Sequence, residues 1–261
     1  MLNSKGAKMN IETVRNQFKA IKLNTAASEL EQVLSKHKKA VSFTWISDLL
    51  EREIDARKEK ALMARMKKAH FPEITSLEAF DFSFNPTIDE NKIRELATLN
   101  FIPNNQICLL LGQPGTGKTH IALALGVLAA NKGFRVYCTN LKKLAMDILQ
   151  AKLKNNLDSL FKKILSAKLW ILDDWGVTTM SREIAEEVFD LLDRRKYSSA
   201  MILTSNRDID EWPQVFQDPV LANATIDRIF DRADISIFKG KSYRLKGKII
   251  MKNIDLNSKK K

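Results

Sequence analysis

Ile107-Cys-Leu-Leu-Leu-Gly-Gln-Pro-Gly-Thr-Gly-Lys-Thr-His120 decides the reading of this chain. A short apolar run enters a glycine-rich turn that fits GxxxxGK[ST] at every fixed position, and the apolar run from Ile121 to Ala130 follows it. Strand, glycine turn and helix in that order form a phosphate-binding loop. The glycines let several backbone N–H groups point at phosphate oxygens, and the helix that opens near Lys118 adds the positive end of its dipole. Nucleotide contact is expected along Gly112, Gln113, Pro114, Gly115, Thr116, Gly117, Lys118, Thr119 and His120. Lys118 should reach the β- and γ-phosphates of ATP, and the Thr119 hydroxyl should ligate Mg2+.

Downstream, apolar runs near 107–111, 134–138, 168–172, 200–204 and 234–238 alternate with helical segments near 118–131, 140–165, 181–197 and 218–231. Such alternation predicts an α/β fold with a five-stranded parallel sheet covered by helices on both faces. The third run, Leu169-Trp-Ile-Leu-Asp-Asp174, carries four apolar residues into two acids, the pattern of a buried strand whose end opens into a ligand cleft. Asp173 would belong to the Mg2+ shell, and Asp174 would polarise the attacking water. Asn206, just past the fourth run, either orients that water or caps the next segment.

Upstream, residues 10–69 hold apolar side chains at helical spacing with no Pro or Gly, for example Ile11, Val14, Phe18 and Ile21. They predict a small all-helical N-terminal domain over 1–70, with Ser28 and Ser42 as candidate N-caps. Residues 71–88, with two prolines, read as an extended linker, 89–250 as the nucleotide domain, and 251–261 as a basic, disordered tail.

The charge is uneven. Residues 1–70 hold 15 Lys/Arg against 8 Asp/Glu, residues 71–231 hold 18 against 21, and residues 232–261 hold 10 against 2, for a total of +12. A mildly acidic body with basic ends suits a polyanionic partner such as nucleic acid. Within the body, 140–168 carries seven lysines against two aspartates, and Lys142, Lys143, Lys152 and Lys154 are candidate DNA-phosphate contacts. No apolar run is long enough to cross a membrane, no secretory signal opens the chain, and Cys108 and Cys138 both lie in apolar runs. These features predict a cytoplasmic protein with reduced thiols.

The ordered set GQPGTGKTHIALALG, LWILDDWG, ILTSN followed by EW, IDRIF and KGKSYR resembles the AAA+ P-loop ATPases of the DnaA/DnaC branch, and most closely the IstB-like transposition helpers of bacterial insertion sequences. The resemblance implies a homo-oligomer assembled with ATP on double-stranded DNA, with a transposase as partner. It makes Asn206 the sensor 1 residue, Arg228 an arginine finger entering a neighbouring subunit's site, and Arg244 the sensor 2 residue of its own subunit. Two departures stand out. An Asp-Glu pair is usual where this chain has Asp173-Asp174, and residues 239–261 are too few for the usual helical lid, so Arg244 should arrive on an extended segment. A DnaC-like helicase loader shares the same ATPase body and is the alternative function. A P-loop kinase lacks its acceptor and lid features here, and a catalytically silent DNA-binding scaffold is the reading that Asp174 motivates.

Overall fold

The computed structural model describes residues 11–36 and 44–245. Ser42, the end of the nucleotide domain at 246–250, and the tail at 251–261 lie outside the described residues. The chain forms two compact units, divided between Ala64 and Arg65.

The first unit contains α1 (Ile11–Ala20), α2 (Asn24–Ser35) and the start of α3 (Thr44–Ala69). Val14, Ile21 and Leu50 form its buried centre, ringed by Phe18, Leu30, Ile46 and Ile54. The helical periodicity is thus realised as separate helices. Ser28 caps none of them: Lys22 turns the chain in the left-handed region (φ 63), so α2 starts four residues before Ser28, whose hydroxyl donates to the Thr25 carbonyl instead.

The second unit contains α4 (Glu90–Leu96), β1 (Ile107–Gly112), α5 (Lys118–Asn131), β2 (Val136–Asn140), α6 (Leu141–Leu153), α7 (Leu157–Leu165), β3 (Leu169–Trp175), α8 (Arg182–Arg195), β4 (Ala200–Ser205), α9 (Pro219–Phe230) and β5 (Ala233–Phe238). All strand pairs are parallel, in the order β2-β3-β4-β1-β5. The helical run at 140–165 is broken into α6 and α7 where Asn155 adopts φ 52 and the Asn156 amide returns to the Ala151 carbonyl.

The strand side chains alternate between two cores. Leu109, Leu111, Trp170, Leu172, Met201 and Leu203 point toward α6 to α9. Cys108, Leu110, Ile171 and Ile202 point toward α5. Burial pushes the Cys138 thiol up to about 12, so both buried cysteines stay protonated and inert, Cys108 further above the usual thiol range.

α5 is buried from Ile121 to Ala130 apart from Leu128, which is why it is apolar all round. One side rests on the sheet. Phe71, Leu77, Phe80 and Phe82 cover the other, and all four belong to the stretch read as a linker. That stretch has little regular structure beyond a 3-10 turn at Phe82–Phe84, yet it packs as part of the core. With apolar area worth about 25 cal/mol per Å2, four such side chains hold it in place rather than leaving it a tether.

Candidate functional site

A parallel sheet opens its ligand crevice at the carboxyl ends of its strands, where helices begin and backbone N–H groups point outward. Gly112 ends β1 with φ +138. A Cβ there would stand 2.0 Å from the Phe238 carbonyl oxygen of β5, so only glycine fits. Gly117, the N-cap of α5, takes the left-handed conformation at φ 103 and turns the chain into the helix. The Thr116 hydroxyl, inside the loop, donates to the Gln113 carbonyl at 2.8 Å.

Lys118 is 4% exposed, and its ammonium donates to the carbonyls of Gly112 (2.8 Å) and Gln113 (2.7 Å). Burial pushes its pKa down to about 8, against the pull of Asp174 and Asp173. A buried ammonium held only by its own loop is a cation suited to an incoming polyanion.

The acidic half of the site comes from β3 and β4. The Thr119 hydroxyl donates to Asp173 at 2.9 Å. Thr204, 1% exposed on β4, donates to the same Asp173 oxygen at 2.5 Å and accepts from the Asp174 amide at 3.1 Å. The β3–β4 register shifts between Leu172 and Trp175, and Asp174 sits in that irregularity with φ 55. The bulge swings Asp174 out of the ladder, where Asn206 donates to its carboxylate at 3.2 Å. Burial, and next the Asp173 charge, raise the Asp174 pKa.

The last side is a strap beyond β5. The Tyr243 amide donates to the Gly115 carbonyl at 2.8 Å, Asn85 and Thr87 donate to the carbonyls of Lys241 and Lys239, and Phe84 meets Tyr243 edge to face. The strap runs extended and ends in a 3-10 turn, Tyr243–Leu245, that brings Arg244 into the cleft.

Gly115 to His120, Asp173, Asp174, Asn206 and Arg244 therefore line one cavity of about 360 Å3. Gly112, Gln113 and Pro114 form the approach to it from β1. His120 borders the cavity, but its ring bonds to the Thr75 hydroxyl and the Ser76 carbonyl, which ties the covering segment to α5. Phe80 and Phe84, aromatic walls of the same cavity, lie outside every motif, and Tyr243, a third wall, stands in KGKSYR but was given no role there. Neither was Thr204, although it stands in the ILTSN run.

The donor set fits nucleotide and magnesium. Thr119 and Asp173 present two hard oxygens beside the loop, and Mg2+ is commonly held by one or two such groups plus phosphates and water. Among the described residues no group of three or more His, Cys, Asp or Glu could hold a metal by itself, so such an ion would depend on the phosphates.

Arg228 is not in the cleft. It lies on α9, its Nε 2.8 Å from the Asp193 carboxylate of α8. Of the four predicted DNA-contact lysines, Lys142, Lys143 and Lys152 lie on α6, and Lys154 is its C-cap. Lys152 turns to α8 and pairs with Glu187 at 2.9 Å and Glu183 at 3.3 Å, whereas Lys142 and Lys154 are exposed.

A family described as IstB-like ATP binding protein matches residues 16–250. The chain belongs to this family. It is 40% identical over 221 residues to a Pseudomonas aeruginosa protein named for insertion sequence IS21 and for ATP binding, a match covering 85% of this chain and 83% of the relative. It is 36% identical over 194 residues to the corresponding IS232 protein of Bacillus thuringiensis subsp. berliner, covering 74% and 78%. Among solved structures, DnaI matches with TM-score 0.54 and 19% identity over 63% of this chain and 91% of its own. AMPPCP-bound DnaA from Aquifex aeolicus matches with TM-score 0.53 and 21% identity over 71% of this chain, but only 55% of the DnaA chain. The fold is thus the P-loop AAA+ fold of those proteins, and the family binds ATP. Among the described residues no helix is long and apolar enough to cross a membrane.

Proposed function

We propose that this IstB-like chain is an ATPase that helps DNA transposition: ATP and Mg2+ bind at the phosphate loop, a second subunit completes the site, and the assembly holds and remodels duplex DNA for a transposase. The observation that carries this reading is how the arginines are divided. Arg244 lines the cleft with Lys118, Asp174 and Asn206, while Arg228 stands apart on α9 and is available to another chain.

Splitting the β–γ bond spreads negative charge over phosphate oxygens, so the chemistry rests on positioned cations and an oriented water. Lys118 leaves the loop carbonyls for the phosphates. Arg244 approaches from the strap. Asp174, held by Asn206, takes the water's hydrogen bond, and Arg228 of a neighbouring subunit supplies the last charge. Thr119 and Asp173 would hold Mg2+, which would neutralise phosphate charge when bound.

Lys142, Lys143 and Lys154 are assigned to DNA phosphates. Lys152, whose charge Glu183 and Glu187 meet, is left out of that set. The N-terminal helices and the basic tail are assigned to DNA or the transposase, and the protein to the cytoplasm. Relatives named for insertion sequences favour transposition over helicase loading.

The test is light-scattering mass with a non-hydrolysable ATP analogue, with and without duplex DNA, alongside ATP turnover. The mass should rise with the analogue and rise further with DNA, and turnover should climb with protein concentration. A monomer in every condition, with turnover per chain independent of concentration, overturns the reading.

A further inference from the structure

A second cavity of about 360 Å3, separate from the nucleotide cleft, lies beside the edge strand β2. His70, from the end of α3, and Tyr137 of β2 form its floor, with ring centroids 5.6 Å apart. Three lysines rim it from successive elements: Lys143 on α6, Lys154 at its cap and Lys163 on α7, the last 5.4 Å over the Tyr137 ring.

Counter-charge is scarce there. Asp147 is the one acid in the lining, and it pairs with Lys143 at 3.4 Å. Lys154 and Lys163 form no ion pair among the described residues. Other lysines of this unit do pair, Lys92 with Asp234, Lys152 with two glutamates and Lys196 with Asp231, and of those that do not, Lys154 and Lys163 are the two that line this hollow. His70 also feels this field, since burial and then Lys163 and Lys143 lower its pKa while Asp147 opposes them. Surface lysines gathered around a hollow repel one another unless an anion joins them.

We infer that this hollow is a phosphate seat that grips the backbone of nucleic acid, with Lys154 and Lys163 as its main contacts and His70 as a pH-dependent third. The inference rests on the DNA-binding reading above and narrows it. The seat adds Lys163 and His70, which charge counting along α6 did not select, and it excludes Lys152, two residues from Lys154 and turned to α8. A phosphate between the lysines would reverse the sign of the field at His70. Binding should therefore take up a proton there and tighten as the pH falls.

The experiment uses the full chain with a non-hydrolysable ATP analogue and a short labelled duplex, read by fluorescence anisotropy over a series of NaCl concentrations. Lys154→Ala and Lys163→Ala should each weaken binding severalfold and reduce the salt slope by about one unit. Lys152→Ala should leave both unchanged. Wild type should bind more tightly near pH 6 than near pH 8, and His70→Gln should flatten that difference. If wild type binds the duplex but Lys154→Ala and Lys163→Ala bind as well as it does, the seat is wrong and the wider DNA reading survives. If Lys152→Ala loses as much as they do, a diffuse field replaces the seat. If the duplex does not bind at all while inorganic phosphate at low millimolar concentration raises the melting temperature of wild type but not of Lys163→Ala, the hollow is a small-anion site and both readings fall.

Discussion

Arg228 holds its Nε 2.8 Å from the Asp193 carboxylate, on the α8–α9 side of the domain, while Arg244 sits in the cleft with Lys118. Both partners of the ion pair are well exposed, with side chains 37% and 47% accessible, so the pair contributes at most about 1 kcal/mol to stability. That Nε is itself buried and makes no hydrogen bond, and among the described residues none is made by the two terminal nitrogens, the ends that fork onto phosphate oxygens.

Arg228→Ala should accordingly leave folding and ATP binding intact and lower turnover by roughly 10³-fold or more, the size seen for such arginines. Mixing it with Asp174→Ala, which keeps the proposed finger but lacks the acid proposed to orient the water, should restore part of the turnover. The mixed assembly contains sites with an intact Asp174 faced by an intact Arg228. Activity of the mixture no greater than the sum of its parts would show that Arg228 does not act between subunits.

Gly115 reports on the strap. Its φ is +79, and a Cβ there would lie 2.1 Å from the Ser242 Oγ and 2.8 Å from its Cβ. Alanine at 115 must push the strap away, taking Arg244 with it. Gly115→Ala is expected to reduce turnover at saturating ATP at least tenfold, a loss of about 1.4 kcal/mol in transition-state binding. Adding Ser242→Gly removes the colliding atoms and should recover part of that loss, though the strain at positive φ, about 1–2 kcal/mol, remains. Steady-state kinetics of the double mutant against the two singles measures the coupling. No recovery would place the damage in the loop alone.

Much of this was legible in the residues. Periodicity placed five strands and the helices between them, because burial on both faces of a parallel sheet leaves continuous apolar runs such as Ile107–Leu111 and Leu169–Leu172. The phosphate loop was legible because its glycines answer to backbone geometry. What stayed hidden depends on contacts far apart in sequence. Phe71 and Phe80 look like linker residues until α5 is seen to need a cover on its second side. Thr204 is one polar residue in an apolar strand until β4 lies beside β3 and brings it to Asp173. Lys152 and Lys154 look alike in a charge count, and only the approach of α8 separates them.

If Lys118 is the phosphate-binding cation, as proposed, it should set the alkaline limit of ATP binding. Its pKa in the nucleotide-free cleft is about 8, well below the ordinary lysine value. A bound triphosphate favours the ammonium, so binding above pH ~8 must take up a proton. This lysine then contributes no pH dependence below that value and up to about tenfold loss of affinity per unit above it. Stability moves the other way. A lysine whose folded pKa is depressed binds fewer protons folded than unfolded, so the nucleotide-free protein gains stability from this group as pH rises from about 8 toward about 10.4. Lys118→Met should remove that gain in thermal melts, and titration calorimetry of wild type against pH reads the affinity limb. An affinity that stays flat well above pH ~9 would mean that Lys118 is not the phosphate-binding cation.

Thr204 gives the sharpest separation of binding from chemistry. Its hydroxyl donates to Asp173 and accepts from the Asp174 amide, so one side chain orients both acids. Valine has nearly the same shape and neither bond. Thr204→Val leaves the part-buried Asp174 amide without its acceptor and the Asp173 oxygen with Thr119 alone, a cost of about 1–3 kcal/mol that a thermal melt should register. The loop and Lys118 are untouched, so ATP affinity measured without metal should stay within about twofold of wild type, under 0.5 kcal/mol. Asp173 would then be free to rotate away from Thr119, and the Mg2+ concentration for half-maximal turnover should rise several-fold. Turnover at saturating Mg2+ should also fall, because Asp174 keeps Asn206 but loses the anchor that sets its backbone in the bulge. An unchanged Mg2+ requirement in a folded Thr204→Val protein would remove Asp173 from the metal's shell.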